Sequence, residues 1–253
     1  MTARSAGQIS AFERLRELPA LFRGGDLTRR FGWSSKSASQ YVYLWGRRGL
    51  VQALGGHSDV YANLLASRHP DWERALVMAM PSAVLVGIEA MRRAGWTTQV
   101  PQRPTVAVKA GHALFKTDHF DVVTRTPRWF DRIAAGIAGH AAQDLRALRP
   151  TWALADQLEA WGWEHGGLSP DDLEWSHISK ADERDWRAAC EALQLPRISL
   201  RQMAVPARDH QPRNVPERLS TRSPRHPCAS ARRSNKHDSS RRTGSPRSRS
   251  RRT

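Results

Sequence analysis

Lys36, Gln40, Tyr43 and Arg47 recur at i, i+4, i+7 and i+11, a spacing that puts all four side chains on one face of a helix over residues 35–48. Ser35, Ser37 and Ser39 keep the first half of that helix small and polar, so it can approach a nucleic-acid groove closely. Gln pairs well with adenine, Lys with guanine, and Ser with base or sugar-phosphate. Arg47 and Arg48 at the far end suit phosphate oxygens, which carry no sequence information. Ala38, Tyr41 or Val42, and Trp45 take the inward spacing of the same helix.

A helix used in this way needs a scaffold, and the flanking sequence supplies one. Phe12, Leu15 and Leu18 mark a helix over residues 10–18, limited by Pro19. Leu21 and Phe22 follow, then Gly24 and Gly25 as a break. Residues 26–31 read as a short helix with Leu27 and Phe31 on one face, and Gly32-Trp33-Ser34 as a turn in which Ser34 or Ser35 caps the next helix. Gly49 closes that helix. Residues 50–54 and 59–64 read as strands joined by the tight turn Gly55-Gly56-His57-Ser58. Helix, helix, turn, helix, hairpin is the order of a winged helix-turn-helix, predicted here over residues 10–65 with double-stranded DNA as its partner. His57 and Ser58 at the hairpin tip would touch backbone or minor groove. Small helix-turn-helix units also serve as protein–protein modules, so the polar outer face decides for DNA.

Charge adds less to this reading than its total suggests. The 253 residues carry a formal net charge of +16. Residues 1–205 hold 26 Lys and Arg against 21 Asp and Glu, and residues 206–253 hold 14 against 3, so most of the excess is in the tail. From about residue 204 the sequence is dominated by Arg, Ser and Pro, too poor in apolar residues to offset chain entropy, and is expected to be disordered. The change is abrupt. It fits either a nucleic-acid-binding arm or GC-rich coding DNA read out of frame. Cys190 and Cys228 are far apart and lack metal-ligand spacing, which suggests reduced thiols. The first nine residues have no apolar signal core, and the most apolar stretches, 83–88 and 133–142, are well short of the roughly 18–20 residues a membrane helix needs. A cytoplasmic protein with no membrane partner is expected.

Enzymatic readings find little footing. Asp118, Asp121 and Asp131 are the candidate metal-binding carboxylates of a nuclease, but no lysine stands in the usual relation to them. His112, His119 and His140 are scattered without zinc spacing. Asp171, Asp172 and Glu174 read as an acidic loop and helix start, favoured by the helix dipole. The ten tryptophans are spread through predicted helices, which favours core packing over base stacking. No enzyme activity, cofactor or metal is expected.

Residues 67–203 read as a second, mixed α/β unit. Helices are predicted over 70–80, 81–94, 129–138, 150–161 and 181–193, and strands over 105–109 and 120–124. Connectors are expected at 161–163 and 167–173. In the run GWTTQVP, residues 95–101, Gly95 would cap a helix, Trp96 would pack, and Thr97, Thr98 and Gln99 would lead into an extended segment.

Three segments carry a family resemblance: RRFGWSSKSASQYVYLWGRRGLV (29–51), MPSAVLVGIEAMRRAGW (80–96) and, most specifically, GWTTQVP followed by VAV (106–108). They resemble the AbiEi antitoxins of bacterial type IV toxin–antitoxin systems over about residues 10–200. The resemblance implies an α+β chain with an N-terminal winged helix-turn-helix and an α/β antitoxin domain. It implies a repressor of its own operon that binds inverted repeats upstream. It also implies a nucleotidyltransferase toxin as functional partner, counteracted without a stable complex. The alternative from the residues alone is a stand-alone winged-helix regulator.

Overall fold

Residue 10 opens the described chain with a helix cap. The Ser10 hydroxyl accepts from the Glu13 amide at 3.2 Å, and the Glu13 carboxylate accepts from the Ser10 amide at 2.7 Å, closing both ends of a capping box on α1 (Ala11–Arg16). The computed structural model describes residues 10–109, 116–138, 144–165 and 167–203. The Arg/Ser/Pro-rich tail with Cys228, and His112 and His140, lie outside the described residues.

After Pro19 the chain forms β1 (Leu21–Arg23) and passes directly into α2 (Gly24–Phe31). The predicted break at Gly24-Gly25 is therefore the first turn of a helix. Asp26 accepts from the Arg23 amide at 2.7 Å, and the Gly24 amide donates to the Asp59 carbonyl at 2.9 Å, which satisfies two of that turn's free donors. Gly32, at φ 65°, ends α2 in the left-handed conformation. The turn leads to α3 (Ser35–Arg47), then β2 (Val51–Ala53) and β3 (Val60–Asn63). The three strands form an antiparallel sheet in the order β1-β3-β2, with Leu21 opposite Ala62 and Val51 opposite Asn63.

α4 (Trp72–Ala79) begins at Asp71, whose carboxylate accepts from the Arg74 amide at 2.9 Å. The helix predicted over 81–94 is instead β4 (Val84–Val86) followed by α5 (Gly87–Arg93). Val84, Leu85 and Val86 are all buried, so the run shows no alternation, and a short apolar run does not reveal strand or helix by period. Gly87, at φ 67°, makes the turn into the helix.

β5 (Thr105–Lys109) and β6 (Asp121–Arg125) fall within a residue of expectation. α6 (Pro127–Ile133) starts two residues earlier than predicted, because Thr126 caps it and Pro127 suits the first helical position. It passes into a 3-10 turn at Ala134–Gly136. The Trp152 indole fills the space a side chain at Gly136 would need, and the helix predicted to residue 138 ends here, with Ile137 extended. β7 (Arg146–Ala147) has no counterpart among the predicted strands. α7 (Pro150–His165) is interrupted at Gly162 (φ 63°, ψ −173°), inside the predicted connector. α8 (Lys180–Leu193) and α9 (Leu200–Met203) follow. The second sheet has the order β6-β5-β4-β7, with β4 antiparallel to β5 and the other pairs parallel.

The fold is α+β, with three buried clusters among the described residues. Leu15, Leu18, Phe22, Leu27 and Trp45 fill the first, between α1, α2 and α3. The second sheet is covered on both faces. Val84, Val86 and Ala107 face the tryptophan-rich cluster of Trp96, Trp129, Trp152 and Trp186, while Leu85, Val106 and Val108 face the other side. That other cluster also takes Leu54 and Val60 from the hairpin, so apolar packing runs across residue 66. The described residues fall in one compact unit. Cys190 is buried, and burial together with Glu183 pushes its thiol up to about 11. Among the described residues no helix is long and apolar enough to cross a membrane.

Candidate nucleic-acid interface

α3 is positioned by its inner face. Ala38 and Trp45 are buried, and Tyr41 and Val42 are half-buried. Trp33 stacks on Tyr41 at 4.3 Å between ring centroids and lies 6.0 Å from Trp45. The Arg14 guanidinium of α1 sits 5.2 Å from the Trp33 ring, which ties the turn before α3 to the first helix. At its N-terminus, the Ser34 hydroxyl accepts from the Ser37 amide at 3.1 Å.

This packing leaves the other face open. Ser35, Lys36, Ser39, Gln40, Tyr43, Arg47 and Arg48 are all exposed. Tyr43 is 63% exposed, and its hydroxyl accepts from Arg47 Nη1 at 3.5 Å. Ser37 differs: it is half-buried, and its hydroxyl lies 3.0 Å from that of Ser34, inside the cap. Sequence reasoning missed Leu44. It is 47% exposed on the same helix, and an apolar side chain there suits the methyl group of thymine. Between the first turn of α2 and the start of α3 lies a groove of about 160 Å³, lined by Gly24, Gly25, Thr28, Ser35 and Ser39 among others.

The hairpin turn is seated rather than free. Gly56 donates its amide to the Lys116 carbonyl at 2.9 Å. That same carbonyl fills the space a side chain at Gly55 would occupy. Thr117 donates its hydroxyl to the Leu54 carbonyl at 2.6 Å and accepts from the His119 amide at 3.2 Å. The His119 ring stacks on Trp72 at 3.8 Å and lies 3.4 Å from the Gln52 amide nitrogen. Burial lowers the pKa of His119, against a smaller upward pull from Asp118. At the tip, His57 is exposed in the left-handed conformation (φ 64°). Ser58 is half-buried, its hydroxyl accepting from the Val60 amide at 3.1 Å.

Asp121 pairs with Arg103 at 2.8 Å, and His119 is engaged as described. Among the described residues no group of three or more His, Cys, Asp or Glu side chains stands close enough to hold a metal ion. A separate cavity of about 270 Å³ lies beside β6 and α7, lined by Arg125, Asp156, Gln157 and Trp161 among others. Asp156, almost fully buried, accepts from the Trp129 indole at 2.7 Å and from Arg125 at 3.3 Å. No spacing in the sequence brings these three residues together.

The GWTTQVP run is a joint. Gly95 (φ 74°) donates to the Arg92 carbonyl, Trp96 is buried, and Thr97 bridges to Leu173.

No protein-family model matches the chain, and no curated protein does. Among solved structures the chain is similar to the RV2827C protein from Mycobacterium tuberculosis, at 18% identity over 73% of this chain and 74% of that one, with a TM-score of 0.45.

Proposed function

We propose that this protein is a DNA-binding autorepressor of the AbiEi antitoxin type, in which residues 10–65 act as a winged helix-turn-helix and α3 enters the major groove. The observation that carries the reading is the division of α3: a face of Lys36, Gln40, Tyr43 and Arg47 open to solvent, behind which Ala38 and Trp45 are buried. Gln40 and Lys36 read base edges, and Arg47 and Arg48 hold phosphates. The hairpin between β2 and β3 is the wing, with His57 at its tip. The antitoxin assignment rests on the sequence resemblance, above all on GWTTQVP. It makes a nucleotidyltransferase toxin the functional partner and inverted repeats upstream of the gene the operator.

The test is a gel shift of the full chain against its own upstream region and against random duplex at about 150 mM salt, where non-specific binding is weak. Preference for the upstream region is expected, and equal binding of the two would overturn the proposal. An adjacent nucleotidyltransferase gene whose toxicity the chain relieves is the expected result for the antitoxin part. Its absence would leave a stand-alone regulator.

A further inference from the structure

We infer that Lys116, far from α3 in sequence, is a phosphate-binding residue of the same interface, held at the wing tip by the seat that Gly55 and Gly56 make for it. The inference rests on the DNA-binding reading and extends it to a segment outside residues 10–65.

The seat fixes where Lys116 is. Its carbonyl accepts from Gly56 and occupies the place of a Gly55 side chain, so no other residue type fits at 55 without displacing it. One residue on, Thr117 is buried and bonded to the Leu54 carbonyl. Two residues further, His119 is clamped between Trp72 and Gln52. The backbone of 116–119 is thus anchored at three points around the turn, while the Lys116 side chain is exposed.

A wing tip of two glycines, a histidine and a serine offers little charge of its own. Of its acidic neighbours, Asp59 is paired with Arg23 at 3.3 Å, which leaves Asp118 as the exposed opposing charge within the segment. An ammonium group on a flexible stem beside a backbone-only tip suits a phosphate diester and carries no base information. The ligand is therefore the duplex backbone next to the bases that α3 reads.

Binding of full-length Lys116→Ala to the operator duplex and to a random duplex, across a salt series, tests this. Affinity should fall about three- to tenfold on both duplexes alike, and the slope of log K against log salt should flatten by about 0.9, one phosphate contact. Lys116→Arg should restore both. Thermal unfolding should be unchanged, because the seat uses only the backbone of residue 116. Wild-type affinity and slope in Lys116→Ala, while Lys36→Ala still weakens operator binding, would overturn the inference and leave the parent reading standing. A loss confined to the operator duplex would also overturn it, since that marks base readout. Failure of the wild-type chain to bind either duplex would remove the parent reading itself.

Discussion

The side-chain amide of Asn63, with no exposed surface, donates to the Leu15 carbonyl at 2.8 Å and reaches the Leu18 carbonyl at 3.1 Å. Its oxygen accepts from the Leu65 amide at 3.1 Å. One side chain on β3 thus satisfies the open end of α1 and fixes the helix that braces Trp33. Asn63→Ala would leave the Leu18 carbonyl and the Leu65 amide without this partner, while the Leu15 carbonyl keeps the Leu18 amide, and a destabilisation of about 1–3 kcal/mol is expected. Urea unfolding at neutral pH measures it. An unchanged midpoint would mean that water replaces the amide at no cost.

Gly55 and Gly56 are adjacent and differ sharply in what they tolerate. A side chain at 55 collides with the Lys116 carbonyl, whereas one at 56 meets nothing within 4 Å. Gly55→Ala is expected to cost about 1–3 kcal/mol through overpacking and to weaken DNA binding by moving the tip. Gly56→Ala should be close to neutral. Equal melting temperatures for the two variants would contradict the seat.

The contrast shows what a local pattern reveals. α3 is legible because its inward and outward residues alternate with the helical period, and Ser34, Gly32 and Gly49 punctuate it. β4 is not, because Val84, Leu85 and Val86 are covered on both faces and leave no period to read. The hairpin is legible from Gly55-Gly56, but its seat is not: Lys116 lies about sixty residues away, and nothing local in GGHS encodes that contact. Ser37 and Ser58 show a related limit. A serine beside a groove and a serine closing a cap or turn have the same spacing, and only the geometry shows both hydroxyls bonded inside the protein.

Asp156 ties a pH dependence to the second cavity. Burial raises its pKa above the usual aspartate value, against smaller downward pulls from Arg125 and the Trp129 indole. Between the unfolded and the folded value, the folded protein holds a proton at this site that the unfolded chain has released. This contribution to stability is greatest at low pH and is lost as pH rises from about 4 through the raised value. Asp156→Asn removes the titration and keeps an acceptor for Trp129. Measured by urea unfolding at pH 4.5 and pH 7, the variant should gain on the wild type at the higher pH. A shift the other way would show that the ion pair with Arg125 outweighs burial.

If α3 enters the major groove as proposed, its outer face makes two kinds of contact, and salt distinguishes them. Lys36→Ala and Gln40→Ala should each weaken operator binding by about 1–3 kcal/mol through the base-edge hydrogen bonds they remove, and should narrow the gap between operator and random duplex. Arg47→Ala and Arg48→Ala should weaken both duplexes alike and flatten the salt slope by about one phosphate each. Tyr43 lies between the two groups with its hydroxyl bonded to Arg47, so Tyr43→Phe should follow the arginine pattern if the hydroxyl only orients the guanidinium. Arg47→Ala that relaxed specificity while leaving the salt slope intact would reverse the assignment, placing the C-terminal half of α3 against the bases and its serine-rich start against the backbone.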